Sequence, residues 1–170
     1  MVVSIRDRCK ESNLKLDINA VMTDDDLVSG NSIKEVFGRE VRHLLCEWHV
    51  KRNWQKNIKN KINSQSLRQL IEAGLNLLFE ERNENEFRVM LHNFMLHNQH
   101  QCPQFINYFS KFYASRYKLW AKCFRNFSHG ATDTNMYCES FHNKLKTFYM
   151  QRKHNKRVDN LIEILLLAEK

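Results

Sequence analysis

The sequence predicts an α/β chain that is mostly helical, with a short two-stranded parallel sheet near its amino end. Two apolar runs flank a helical segment in the first 50 residues, which is the strand, helix, strand order of a parallel unit. From Trp48 onward the apolar residues recur at helical spacing. Only four Gly and one Pro occur in 170 residues, so few positions interrupt long helices.

The predicted elements of the amino-terminal part begin with the last turns of an amphipathic helix over residues 3–13. Ile18–Met22 is an apolar run that stops at three aspartates, which favours a buried strand ending at a sheet edge. Asn31 or Ser32 is expected to cap the next helix, and Gly38 to close it. Val41–Cys46 is the second strand, and we expect the crossover to be right-handed.

Helices that pack on helices follow, because apolar stripes with a period near 3.6 residues are typical of core faces. A loop is predicted over residues 126–134, then a helix from about Asn135 to Met150 and a last helix from about Val158. The predicted organisation is therefore a sheet segment over 1–50, a helical insertion over 51–133, and a late helix with the start of the following helix over 134–170.

Charge patterning favours an anionic partner, most simply DNA, because the formal net charge is +8 and the basic residues are segregated. Residues 50–62 and 140–158 contain no acidic residue. The alternative is a set of solvated helix faces. The candidate DNA-binding residues are Lys51, Arg52, Lys56, Lys59, His142, Lys146, Arg152, Lys153, Lys156 and Arg157.

The sequence argues against a secreted disulfide-rich protein and against a membrane span. Five Cys lack the spacing of a disulfide framework, and the chain opens without a signal peptide. No stretch approaches the roughly 20 apolar residues that a membrane helix needs. We expect reduced thiols in the nucleus or cytoplasm, with the basic run at 151–157 as a candidate nuclear-import signal.

Asp24 and Glu139 are the candidate ligands of a divalent ion. Asp24 follows a predicted strand at the edge where α/β sheets bind ligands, and adjacent aspartates repel one another unless a cation is present. On a helical wheel, Glu139 shares a polar face with His142 and Lys146, so Lys146 could contact phosphate. The alternatives are an aspartate-rich capping turn and a solvent-exposed glutamate.

Cys46 and His49 form a Cys-x-x-His pair with the ligand types of a zinc site. Zinc takes four ligands, and only folding could bring His43, Cys123, Cys138 or His142 to complete the set. The alternative is a buried thiol beside a packed imidazole.

These motifs together resemble the transposase domain of Mutator-like elements, the MULE family. The resemblance lies in Thr23-Asp24 at a strand end, then Cys46-x-x-His49 at a strand-to-helix junction, then the run from Thr134 to Lys146. That last run reads Thr-Asn-x-x-x-Glu-Ser-x-His-x-x-Leu-Lys, and Trp120-Ala121 ahead of it is also similar to the family. The resemblance extends from about residue 19 to residue 166.

The resemblance implies a partial ribonuclease-H-like fold with a large all-helical insertion. It implies an Asp-Asp-Glu triad that binds Mg²⁺ or Mn²⁺ and cleaves and transfers DNA strands. Asp24 and Glu139 would be the second and third carboxylates. Only 23 residues precede Asp24, too few for the strands that carry the first aspartate, so we expect a fragment that is inactive alone. A DNA-binding module without catalysis and a helical protein-interaction domain are the alternatives, and a homo-oligomer is expected of an active transposase.

Overall fold

The computed structural model describes residues 18–25, 27–38, 40–126, 136–152 and 157–168. The chain divides into two compact units, Met1–Asp133 and Thr134–Lys170, and each is described by itself. The helix predicted over residues 3–13 and nearly all of the loop predicted over 126–134 lie outside the described residues.

The two predicted strands pair in parallel, as expected from the strand, helix, strand pattern. Strand β1 is Ala20–Thr23 and strand β2 is Arg42–Leu45, with Ala20 opposite Arg42 and Thr23 opposite Leu45. The ladder continues one step further, because the Cys46 amide donates to the Thr23 carbonyl oxygen at 2.7 Å. The ends of both strands therefore lie side by side at one edge of the sheet.

Helix α1, Leu27–Phe37, connects the strands and begins earlier than predicted. Asn31 and Ser32 lie inside the helix, so the prediction that either one caps it is wrong. The aspartates that precede Leu27 place negative charge ahead of the helix, where the helix dipole favours it. The predicted end is confirmed: Gly38 has φ of 91°, a left-handed conformation that suits glycine, and its amide donates to the Lys34 carbonyl oxygen.

Within residues 47–126, four helices and two 3₁₀ turns follow in the first unit. Ser64 and Asn83 cap α3 and α4 by accepting hydrogen bonds from amides of the first turn. The helices are α2 (Glu47–Lys61), α3 (Gln65–Glu80), α4 (Glu84–Asn98) and α5 (Pro103–Phe112), and the 3₁₀ turns are Ala114–Leu119 and Lys122–Phe124.

The core of the first unit is aromatic and centres on Trp54 of α2. The Trp54 ring makes edge contacts with Phe79, Phe109, Tyr113 and Trp120, with ring centroids 5.1 to 6.1 Å apart. Aromatic pairs in this geometry contribute about 0.5–1.5 kcal/mol each beyond the area that they bury. Most residues of the predicted helical stripes in the first unit thus lie in or against the core.

The sheet and the helical layer belong to the same core. Leu45 of β2 is fully buried within the aromatic cluster, and its carbonyl oxygen accepts a hydrogen bond from the buried Arg125 side chain at 2.6 Å. Helix α2 also runs without a break across position 50, where the sequence placed a segment boundary. The strands are therefore held in place by the helices that follow them.

The second unit contains α6 (Met136–Lys144), a π-helical turn (Leu145–Tyr149) and α7 (Val158–Ala168). The sequence predicted one regular helix from about 135 to 150, and the π turn changes that prediction. Its hydrogen bonds span five residues, as from Met150 to Leu145 at 2.9 Å, so side chains after Lys144 leave the regular α-helical phase. Phe148 is 76% exposed and is not part of a buried stripe.

The described part of the chain is mostly helical, with one small parallel sheet. Among the described helices, none combines the length and apolar character that crossing a membrane requires.

Candidate functional site

Asp24 lies at the carboxyl end of β1, where its side chain is exposed. The preceding Thr23 hydroxyl donates to the Asp24 carbonyl oxygen at 2.8 Å and lies 2.7 Å from Nε2 of His43. Because that hydroxyl already donates its proton, the His43 Nε2–H must be the donor in the second contact. Burial, and then the nearby Lys34 and Arg116 charges, lowers the pKa of His43. The lowered pKa favours the neutral imidazole that carries its proton on Nε2.

Asp25 has a different environment from its neighbour, although the residue type is the same. Its carboxylate is only 8% exposed and accepts three hydrogen bonds from the helical layer. Arg116 donates at 2.9 Å and Asn53 at 3.2 Å, and the third donor is the Tyr113 hydroxyl. The donors come from α2, from the residue after α5, and from the first 3₁₀ turn. Asp25 therefore anchors the strand end to three separate segments of the insertion.

The Tyr113 hydroxyl has a raised pKa and stays protonated at neutral pH. Burial is the largest cause that raises its pKa, and the hydrogen bond to the Asp25 carboxylate adds to it. The hydroxyl therefore acts only as a hydrogen-bond donor to Asp25. This bond holds the residue that follows Asp24 in the same turn. Among the described residues, no hydrogen bond or ion pair engages the Asp24 carboxylate itself. Of the two adjacent carboxylates, Asp24 is the one that can accept a ligand.

Glu139 lies in the first turn of α6, in the second unit, and is partly buried. His142 and Lys146 are exposed, and the Lys146 carbonyl oxygen accepts a hydrogen bond from the Arg152 amide at 2.8 Å. Gln151 and Arg152 have positive φ of 50° and 57° as the chain leaves the π turn. The two carboxylates that the sequence singled out thus lie in separate units, each on a turn with a defined backbone.

The predicted metal ligands Asp24, Cys46 and His49 have suitable ligand atoms, but the described residues do not bring them together with others into a metal-binding group. Carboxylate oxygens such as those of the exposed Asp24 fit a hard ion such as Mg²⁺ or Mn²⁺. Cys46 is fully buried at the start of α2, and His49 is partly buried and packs edge-on against Trp48 at 4.7 Å. Within the described ranges, no three His, Cys, Asp or Glu side chains are placed to hold a metal ion. Both the divalent-ion site and the zinc site stay predictions.

The candidate DNA-binding residues of α2 separate into two groups. Arg52, Lys56 and Lys59 are exposed on one side of the helix, together with Trp48. Lys51 instead pairs with Glu47 at 2.6 Å and with Glu80 at 3.5 Å, and it lies over the Phe79 ring. Its charge is compensated within the protein, so the anion-binding character of α2 belongs to the exposed group.

The basic residues of the carboxyl-terminal part are only partly described. Arg152 and Arg157 are exposed, and Lys153 and Lys156 lie outside the described residues.

Sequence reasoning missed the residues that hold Asp25, namely Asn53, Tyr113 and Arg116. No local pattern could have found them, because they lie 28, 88 and 91 positions from Asp25 along the chain. The exposure of Trp48 was also missed. A signal was available for it, since Val50, Trp54 and Ile58 set the buried face of α2 and Trp48 lies outside that spacing.

The chain shows no significant match to any protein-family profile, curated protein or solved structure.

Proposed function

We propose that this chain is the core of a MULE-type DNA transposase and contributes Asp24 and Glu139 as two carboxylates of an Asp-Asp-Glu site. The family resemblance of the three ordered motifs motivates the proposal. The supporting observation is the exposed Asp24 carboxylate at the end of a parallel strand, beside an Asp25 that is fully engaged by other groups. The proposed location of the protein is the nucleus.

The proposed roles of the residues follow from their chemistry. Asp24 and Glu139 would hold Mg²⁺ or Mn²⁺, which in such sites activates a nucleophile and stabilises the leaving oxygen at a phosphodiester. Asp25, held by Tyr113, Asn53 and Arg116, fixes the backbone that presents Asp24. Arg52, Lys56 and Lys59 would neutralise DNA phosphates.

Iron-directed protein cleavage tests whether one metal site includes both carboxylates. Fe²⁺ replaces Mg²⁺ at oxygen-ligand sites, and with ascorbate and peroxide it generates radicals that cut the nearby polypeptide. We expect cuts near residues 24 and 139, mapped by mass spectrometry and suppressed by excess Mg²⁺. Either Asp24→Asn or Glu139→Gln should remove both cuts, because each variant deletes a shared ligand.

The matched control for iron cleavage is Glu86→Gln, which alters an exposed carboxylate of α4 and should leave the pattern unchanged. Cuts near only one of the two positions, or cuts that survive both variants, would contradict the proposal.

The second candidate is a DNA-binding module without catalysis, and the exposed basic side of α2 favours it. DNA binding should then weaken with salt, and each lost phosphate contact should reduce the slope of log K against log [salt] by about 1. Lys56→Ala tests whether the exposed side of α2 contacts phosphate. Lys111→Ala on α5 is the control, because it removes the same charge at another exposed site and should leave the slope unchanged. Salt-dependent binding without iron cleavage would identify the non-catalytic module, and absence of DNA binding at low salt would exclude both candidates.

A further inference from the structure

One side of α2 combines an aromatic ring with cations. Trp48, Arg52, Lys56 and Lys59 are all exposed and follow one another at spacings of four, four and three residues. At 100° per residue these four side chains project within about 80° of one another, and the row is about 16 Å long. We call these four residues the α2 stripe. Residues 50–62 contain no acid, so the sequence of α2 after its first turn offers the stripe no local counter-charge.

The tryptophan of the stripe is unusual among the three in the chain. Trp54 and Trp120 are 2% and 0% exposed, whereas Trp48 is 46% exposed. The Arg52 guanidinium lies 4.8 Å from the centroid of the Trp48 ring, and His49 meets that ring edge-on. A large ring left half in solvent beside cations is suited to binding a nucleotide, whose neutral base can stack on the ring while its phosphate pairs with a cation.

The stripe lies close in the chain to the strand ends that carry the candidate carboxylate. Trp48 is two residues beyond Cys46, whose amide bonds to the Thr23 carbonyl oxygen immediately before Asp24. Helix α2 is also tied to the same turn through Asn53, which donates to Asp25 at 3.2 Å. The aromatic end of the stripe is thus the end nearest to the sheet.

We infer that the α2 stripe binds single-stranded DNA, with an unpaired base stacked on Trp48 and the following phosphates on Arg52, Lys56 and Lys59. Bases within a duplex are stacked on each other, so only an unpaired base can offer its face to the ring. The biological meaning of this site rests on the proposed function, because a transposase core acts where DNA ends are opened.

Tryptophan fluorescence and affinity measurements test the inference on the intact chain. Because Trp54 and Trp120 are buried, quenching by a bound base reports mainly on Trp48. We compare a short single-stranded DNA with an abasic strand of the same length and charge, with the same sequence as a duplex, and with an RNA strand. The base-containing single strand should bind about tenfold more tightly than the abasic strand and should quench the emission.

Three variants separate stacking from charge. Trp48→Ala should lose the tenfold preference for bases and keep the affinity for the abasic strand, and Trp48→Phe should keep most of the preference. Lys56→Ala should weaken the base-containing and abasic strands equally. Because Trp48 is exposed, the alanine variant should keep the wild-type circular dichroism spectrum, which confirms that it folds.

Equal affinity of the wild type for base-containing and abasic strands would overturn the inference, and so would a preference for duplex. A tighter complex with RNA would assign the site to RNA and overturn the inference as stated. None of these readouts uses a metal ion, so they fail or succeed independently of the iron cleavage test. Loss of iron cleavage with an intact base preference would reject the proposed catalytic site and leave the single-strand site standing.

Discussion

Replacing Asp25 with Asn should destabilise the first unit although the side chain keeps its size. Asp25 is 8% exposed and its ion-pair partner Arg116 is 21% exposed, so the substitution leaves a largely buried guanidinium without its charge partner. The new amide group also brings donors to a site where Tyr113, Asn53 and Arg116 already donate. Both effects oppose folding.

The magnitude follows from the burial of the pair. Breaking a fully buried ion pair by neutralising one partner costs about 3–5 kcal/mol, and a hydrogen bond to a charged group contributes about 1.5–3 kcal/mol. The remaining amide oxygen can still accept two donors, as Oδ2 of Asp25 does from Asn53 and Tyr113, and water reaches about a fifth of Arg116. We therefore expect a loss of about 3 kcal/mol in the free energy of unfolding. With a urea slope of about 2 kcal/mol/M, the midpoint should fall by about 1.5 M.

The assay is urea unfolding, followed by the emission of the buried Trp54 and Trp120 and by far-UV circular dichroism. Asp24→Asn is the matched control, because it makes the same chemical change one residue earlier on an exposed side chain. Its effect should stay within about 0.5 kcal/mol. If Asp25→Asn unfolds within 0.5 kcal/mol of the wild type, or if both variants lose equal stability, the reasoning from the hydrogen-bond network is refuted.

Two further predictions concern groups whose pKa is shifted. Burial lowers the pKa of His43 below 6.5 in the folded protein. Just below that pH the unfolded state therefore binds more protons than the folded state. The free energy of unfolding should fall as the pH decreases from about 7 to 5. Urea unfolding across that range checks it, and His43→Gln should flatten the slope. Burial raises the pKa of Cys123 to about 11 and also raises that of Cys102. Peptide mapping after maleimide treatment at pH 8 should therefore find both thiols unmodified in the folded protein and modified in urea, and rapid modification without urea would contradict the burial.

The elements that depend on local pattern were predictable from the sequence. The two strands and the closing Gly38 were read from apolar runs and a turn residue, and the helical stripes from their period. The start of α1 was not predictable in this way, because Asn31 and Ser32 are residue types that often cap helices but here lie inside the helix. Ile33 and Val36 of that helix are both buried, and the packing of such an apolar face outweighs a local capping preference.

The candidate site was predictable only in part, because its support is not local. The position of Asp24 at a strand end follows from the sequence, but the difference between Asp24 and Asp25 does not. It arises because Tyr113 and Arg116, about 90 positions away, reach one carboxylate and not the other. The position of Lys146 relative to Glu139 was likewise affected by a π turn at Leu145–Tyr149, for which the sequence has no simple signal.

Helix α2 connects the parts of the candidate site through its different sides. Its buried side, with Val50, Trp54 and Ile58, fixes it in the aromatic core. Asn53 binds the Asp25 carboxylate at 3.2 Å, and the α2 stripe on the exposed side is the candidate surface for DNA. A rigid helix transmits any displacement of its core side to both other sides. Core variants should therefore lose single-strand binding and the Asp25 contact together, whereas Trp48→Ala should lose only the preference for base-containing strands and leave the Asp25 contact intact.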